Sequence, residues 1–377
     1  MPMLVWRAET HLTVRADPGK DKIRIGEGGG MRVQLLAKML GMLALAALII
    51  APPAVRAEPP VSLFRIGTGG TGGTYYPVGQ ALAHAISNPT AATDCAPVPC
   101  GVPGLLAVAQ TANGSVSNIE DVQDRQIESG FSQSDVAYWA LSGTNVFEDA
   151  GPQRDIRGIA SLYHEDVHVV ARKGSGISRI TDLRGKRVSL DDPGSGTLVG
   201  ARLILDAYGL TEADLKAQYI KASDAIKKIR SGELDAFFFI SGTPSPAISE
   251  LSEEGLVTLV PISGPIASRL TWENPFFTPS AIPEGSYAGV EAVRTLGVAA
   301  LWVVSSAQSD AQVYEITKRF WENLPDLKRL GLHPKIDKIT LATAFFSMSV
   351  PLHPGALKYY QESGLLLADS KNNRRTN

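Results

Sequence analysis

The chain has 377 residues, Lys+Arg 36 against Asp+Glu 38, 44% hydrophobic and 20% charged. That composition is globular and excludes a disordered chain, and a formal charge of −2 leaves no basic footprint for nucleic acid. Its 2 cysteines cannot by themselves make a disulfide-dense scaffold or a four-ligand zinc site.

Residues 1–30 are polar, rich in Gly and Arg, and aperiodic. Residues 31–57 have the layout of a secretory signal peptide. Arg32 and Lys38 form a positive start, Met39–Ala51 is an uncharged apolar run, and Ala54-Val55-Arg56-Ala57 is a small-x-small cleavage box. A membrane-spanning helix needs about 20 apolar residues, so an anchor is the weaker reading. Met31 is the expected start and 1–30 an upstream extension. The glycine tract before Met31 fits a ribosome-binding site at the codon level; an unusually long n-region is the rival reading. The expected product is an exported, mildly acidic periplasmic protein.

After the leader, Leu63–Gly67 reads as a strand, followed by a Gly/Thr loop and a helix over Tyr76–Ser87. Cys95 and Cys100 lie in a Pro-rich loop, and in an oxidising compartment they are expected to pair. A strand over Leu105–Gln110, a helix over Val116–Glu128, a short strand ending at Phe131 and Ser132, and a helix over Asp135–Leu141 come next. Ile159–Ala171 is a buried-strand pattern. Arg187–Leu190 is a strand leading through Pro193–Thr197 into a helix over Leu198–Tyr208. The pattern continues with strand Gln218–Lys221, helix Asp224–Ser231, strand Asp235–Ile240, helix Thr243–Glu254 and strand Val257–Ile262. Val298–Val304 is a long buried strand. Ala311–Leu324, Asp326–Gly331, Ile339–Met348 and Gly355–Ser363 read as helices. Strands alternating with helices predict an α/β fold with mainly parallel sheets.

Two strand-to-helix turns could bind an anion. In Gly67–Tyr76, five glycines in seven positions let backbone N–H groups approach a ligand, and the helix start adds partial positive charge. A phosphate loop would end in Gly-Lys-Ser/Thr, and no Lys is present. The Rossmann spacing is met by Gly67, Gly69 and Gly72, without the acidic residue that reads a ribose. A purely structural glycine turn is the competing reading. Pro193–Thr197 offers amides and two hydroxyls, Ser195 and Thr197, and is not a nucleophile elbow. Asn118 and Gln133 carry amides suited to a polar small molecule, whereas Ser115 and Asp135 read as helix caps. Phe237–Phe239 read as core, with Ser241 the better contact at the strand's end. No histidine has an obvious carboxylate relay, so no enzyme, cofactor or metal is expected.

Taken together, GTGGTGGTYYPVGQALA, GSVSNI, SGFSQSDVAYWAL, SLYHEDVHVVAR, DLRGKRVSLDDPGSGT, GELDAFFFISGTP, TLGVAALWVVS and PLHPGALKYYQE resemble the TAXI family, the extracytoplasmic solute receptors of TRAP transporters. The likeness runs in order over residues 63–363; CAPVPCGVPGLLAVAQT looks like a subgroup insert. It implies a two-lobed, type II-like periplasmic-binding-protein fold with a ligand cleft. Lobe one would hold 61–165 and 300–370, lobe two 166–299, with Val167–Ala171 and Val298–Val304 at the crossings. The family binds small carboxylates such as glutamate or 2-oxoglutarate and hands them to membrane subunits driven by an ion gradient. Carried onto this chain, its contacts fall on Gly70, Thr71, Gly73, Thr74 and Tyr75, on Asn118, Gln133 and Ser134, and on Ser195, Gly196, Thr197 and Ser241. The expected state is a monomer. The alternatives are a sensory receptor, an ABC-type receptor for a small anion, and a secreted hydrolase or transferase.

Overall fold

The computed structural model describes residues 61–95 and 99–366; the signal-peptide and upstream-extension expectations fall outside them. The chain begins with β1 (Ser62–Gly67), α1 (Tyr75–Ile86), β2 (Ser87–Asn88), β3 (Val102–Pro103), β4 (Leu105–Gln110), α2 (Ser115–Gln123), β5 (Ser129–Gln133) and α3 (Ser134–Ser142). The long strand β6 (Ile156–Arg172) leads into β7 (Arg187–Ser189), α4 (Gly196–Ala207), β8 (Lys216–Gln218), α5 (Ala222–Ser231) and β9 (Ala236–Ser241). Then come α6 (Pro246–Glu253), β10 (Val257–Leu259), α7 (Gly264–Glu273) and β11 (Thr278–Ile282). A second long strand, β12 (Val293–Ser305), precedes α8 (Asp310–Leu330) and α9 (Pro354–Glu362).

The fold is α/β, and its main sheet has the strand order β4-β1-β5-β12-β6-β9-β7-β8, with β10 on β6 and β11 on β12. One plan appears twice. Three parallel strands (β4-β1-β5, and β8-β7-β9) are each closed by a long antiparallel strand, β12 on β5 and β6 on β9. The two long strands pair with each other from Gly297↔Asp166 to Ser305↔Ile156. Each parallel strand feeds a helix, so the carboxyl ends of both triplets carry the loops that ligands use in open α/β sheets.

The continuous apolar runs follow from burial on both faces. Along β12, Ala300, Trp302 and Val304 enter one core with Phe64, Ile66 and Phe320, while Ala299, Leu301 and Val303 enter another with Ile119 and Val136. Along β9, Phe238 and Ile240 pack with Leu190 and Ile204, whereas Phe237 and Phe239 pack with Ile226 and Ile248. Among the described residues no helix is long and apolar enough to cross a membrane.

Several elements differ from expectation for identifiable reasons. The helix expected to reach Glu128 ends at Gln123, because Arg125 takes a left-handed φ of 58°. That turn lets Glu128 grip Arg65 through Nε at 2.9 Å and Nη2 at 2.7 Å. Pro325 does not split α8: the buried face of Phe320, Trp321, Leu324 and Leu327 holds the helix together across it. No α-helix forms over Ile339–Met348, only 3₁₀ turns at Ile336–Lys338 and Leu341–Thr343. This stretch and its continuation bond to β6 instead, Ser161 N–H donating to Ala344 O at 2.8 Å and Gly158 N–H to Pro351 O at 2.8 Å. Helix α7 and strand β11 were not legible as elements. Cys95 and Cys100 form a disulfide, their Cα atoms 5.2 Å apart.

Trp302 is fully buried, meets the Phe320 ring edge-on at 5.5 Å and donates from Nε1 to Ser129 Oγ at 3.2 Å. Trp302→Ala is expected to cost about 3–5 kcal/mol. Urea unfolding checks this; a loss below about 1 kcal/mol would mean that this core collapses around the gap.

Candidate functional site

The loops at the carboxyl ends of β1, β4, β5, β7, β8 and β9 enclose one cavity of about 630 Å³ of empty space, part of it open to solvent. That is an ordinary size for a small-molecule site. Its walls include Gly69–Tyr75, Ala112–Ser115 and Gln133 from one half of the sheet, and Asp191–Asp192, Ser195–Thr197, Lys221–Ser223 and Phe239–Ser241 from the other. Glu165 of β6 also lines it.

Gly70, Thr71, Gly73, Thr74, Tyr75, Gln133, Ser195, Gly196, Thr197 and Ser241 all line this cavity. Asn118 does not. It is wholly buried, and its Nδ2 donates to Thr68 O and Phe131 O, both at 2.8 Å, tying the end of β1 to β5. Ser134 does not line the cavity either; it opens α3, and its carbonyl accepts from Ser349 Oγ at 2.6 Å. A short polar side chain at a helix start can face the core as readily as the cleft, and sequence does not say which.

Five helix starts meet at the cavity. Tyr75 opens α1, Ser115 opens α2, Gln133 caps α3, Gly196 opens α4 and Lys221 caps α5. The first turn of a helix leaves backbone N–H groups without intrahelical partners and carries partial positive charge. Side chains of α2 and the α3 cap press on the α4 backbone here: a Cβ on Gly196 would lie 2.5 Å from Gln133 Oε1 and 2.7 Å from Ser115 Oγ. The hydroxyls are partly committed. Ser195 Oγ accepts from Leu198 N–H at 3.0 Å as the cap of α4, and Thr197 Oγ1 accepts from Ile240 N–H at 3.1 Å. Two polar side chains are not: Gln133 Oε1 and Ser241 Oγ are buried with no hydrogen-bond partner, although both residues line the cavity.

Hydrogen bonds bridge the two walls at both rims. On one, Val116 and Ser117 N–H both donate to Gly194 O at 3.0 Å, and Asn113 Nδ2 donates to Pro193 O at 3.1 Å. On the other, Gly242 N–H donates to Thr74 Oγ1 at 2.9 Å and Ala247 N–H to Gly72 O at 3.3 Å.

The charged side chains here escaped the sequence reading. Tyr75 Oη donates to Glu165 Oε2 at 2.9 Å. Burial raises the Glu165 carboxyl to about 8; the Tyr75 bond and the Lys335 charge offset it in part, and Asp135 and Asp166 add to it. Asp191 is raised to about 7 by burial and by neighbouring Asp192, and its backbone sits at φ 74°. Lys221 Nζ lies 3.6 Å from Asp192 Oδ2. Asp135, buried in the first turn of α3 with Oδ2 unpartnered, is raised to about 7 by burial. Two signals were present in the sequence: the acidic pair Glu165-Asp166 inside an apolar strand, and Asp191-Asp192 directly before the second glycine turn. Among the described residues no group of three or more His, Cys, Asp or Glu could hold a metal ion.

The model of the NMT1-like family matches residues 66–364, and the chain belongs to that family. The match is coarser than the TAXI resemblance and does not carry the TAXI assignment. Similar solved structures include the alkanesulfonate-binding protein SsuA from Xanthomonas axonopodis pv. citri bound to MOPS, at 14% identity and TM-score 0.45 over 81% of this chain and 92% of that one. The periplasmic aliphatic sulphonate binding protein SsuA from Escherichia coli matches at 15% identity and TM-score 0.41, over 79% and 77%. The substrate binding protein of an amino acid ABC transporter matches at 12% identity and TM-score 0.39, over 74% and 96%.

A carboxyl group whose pKa is higher folded than unfolded adds stability that is complete below its unfolded value and lost as pH rises through its folded value. Between pH 7 and 8, above the ordinary histidine range, Glu165 is the main such group, being raised from 4.5 to about 8. Urea stability should therefore fall over that interval by up to about 1.4 kcal/mol per pH unit from this residue. Glu165→Gln should flatten the fall; an equal slope in the variant would show that Glu165 already ionises at neutrality.

Proposed function

We propose that this NMT1-like protein is a solute-binding receptor that holds a small oxyanion in the cavity and delivers it to a membrane transporter. The observation that supports this is the meeting of five helix starts with two buried, unpartnered side-chain atoms, Gln133 Oε1 and Ser241 Oγ, around one cavity. Backbone N–H groups at helix starts bind negative charge without a basic side chain. The one cation on the wall, Lys221, is matched by Asp192. Nothing in this arrangement forms a nucleophile with its base, so a receptor fits it better than the hydrolase alternative.

The two halves of the sheet are proposed as lobes, 61–165 with 300–370 and 166–299, that close over the solute about β6 and β12. The rim hydrogen bonds are then the contacts of the closed form. The periplasm is the proposed compartment, on the strength of residues 31–57. A carboxylate such as glutamate or 2-oxoglutarate is the proposed solute, carried by the TAXI resemblance, with a sulfonate as competitor. For delivery, an ABC-type transporter is our first reading, since family membership carries no ion-gradient coupling. A TRAP transporter rests on the motif resemblance alone.

A thermal-shift screen of small carboxylates, sulfonates, sugars and diamines tests the reading. An acid at 100 times its Kd should add about 2.7 kcal/mol of stability. Gln133→Leu should weaken that acid about ten- to a hundredfold by calorimetry, the worth of one charge-assisted hydrogen bond. Stabilisation by sugars or diamines and by no acid would remove the oxyanion reading.

Uptake by cells that carry the receptor separates the transporter classes. Depletion of ATP with the ion gradients clamped should stop uptake by an ABC-type system. Uptake that survives it and collapses with an ionophore would restore the TRAP reading.

A further inference from the structure

The cavity floor holds an acid where an anion is proposed to sit. Glu165 is 2% exposed, lines the cavity and lies on β6 opposite Val298 of β12. Its Oε2 accepts from Tyr75 Oη, and its Oε1 has no hydrogen-bond partner among the described residues. The titratable groups that face it are Tyr75 of α1, Asp135 of α3, Tyr163 and Asp166 of β6, and Lys335. Lys335 is the one cation in that set, and its Nζ is committed to His164 O at 2.7 Å. Tyr75 also lies 3.4 Å from Ser115 Oγ, which itself accepts from Gln133 N–H at 3.0 Å. Glu165 is thus wired to the starts of α1, α2 and α3. An ionised carboxylate there would repel an anion held by those helix starts, whereas a neutral acid has a proton to donate.

We infer that Glu165 is a specificity-determining residue of the proposed oxyanion site: it enters the complex as the neutral acid, keeps Oε2 on the Tyr75 hydroxyl and donates its own proton from Oε1 to an oxygen of the bound anion. The inference rests on the oxyanion reading and adds a substrate class to it. No bond other than a hydrogen bond forms. When Glu165 is ionised in the free protein, the proton comes from solvent, so binding takes up one proton. An O–H donor bonds most strongly to a basic acceptor, so the site prefers a weak-acid oxyanion, a carboxylate, over a sulfonate of similar size. A neutral Glu165 in the free protein up to about pH 8 places the proton uptake above that value.

Calorimetry at pH 6.5, 7.5 and 9 in buffers of differing ionisation enthalpy tests this, with glutarate, 2-oxoglutarate, glutamate and ethanesulfonate as probes. Wild-type protein should take up almost no proton from Glu165 at pH 6.5 and close to one at pH 9. Its affinity for the best-binding carboxylate should fall about tenfold per pH unit above pH 8. In Glu165→Gln, whose amide donates but does not titrate, affinity should change by less than about twofold between pH 7.5 and 9, whatever its absolute value. Asp191 titrates on the opposite wall near pH 7, so uptake is read as the difference between wild type and variant. Should Glu165→Gln fail to fold, infrared difference spectra of the wild-type protein at pH 9 serve instead. A protonated-carboxyl band should appear on adding the carboxylate. Equal proton uptake in both proteins, proton release on binding, absence of that band, or tighter binding of ethanesulfonate would overturn the assignment while leaving an anion site in place. Failure of all four probes at pH 6.5 would remove the oxyanion reading itself.

Discussion

The antiparallel pairing of β6 with β12 is the contact on which both walls of the cavity depend. Each strand is long enough to close one parallel triplet and then continue into the other half of the sheet. Their shared ladder therefore sets where the loops after β1, β4 and β5 stand relative to those after β7, β8 and β9. At the crossing, Gly297 faces Asp166, and the His164 ring occupies the place a side chain on Gly297 would take. A larger residue there would push the strands apart at the point where Glu165 reaches the cavity. Irregular register between Ala300 and Leu301, and again between Trp302 and Val303, bends the pair beneath one half only.

Desolvation governs the chemistry that this arrangement allows. The cavity is walled by backbone amides and by carboxyl groups, with Lys221 held at Asp192. Exposed in water, Glu165 and Asp191 would be ionised at neutrality and oppose an anion. Buried, they are raised to about 8 and about 7, and the balance at the cavity shifts toward the partial positive charge of the helix starts. The site is thus tuned by how deeply its acids are buried more than by how many basic residues it contains. Rim closure adds to this, since hydrogen bonds such as those from Val116 and Ser117 to Gly194 O shut water out on one side.

Much of the molecule was legible in the sequence because burial on two faces leaves a continuous apolar run. DAFFFI and VAALWVV read as strands for that reason, and glycine-rich turns after such strands marked the loops that line the cavity. Local pattern failed where partners distant in sequence won. Pro325 stayed inside a helix because of its packed face, and the stretch after Ile339 kept only tight local turns while its Ala344 and Pro351 carbonyls accepted from β6. The roles of polar side chains were decided the same way. Asn118 and Gln133 carry the same amide group and each leaves its amide oxygen unpaired, yet Asn118 spends its Nδ2 on Thr68 and Phe131 away from the cavity while Gln133 lines it. The sequence by itself determined the long buried strands and the two glycine-rich turns that follow β1 and β7, and hence the class of ligand to consider. Only the tertiary structure decided that Glu165 and Asp191 line the cavity and that Asn118 does not. Burial and hydrogen-bond partnership are set by residues that lie up to a hundred positions away and more, and no local pattern records them.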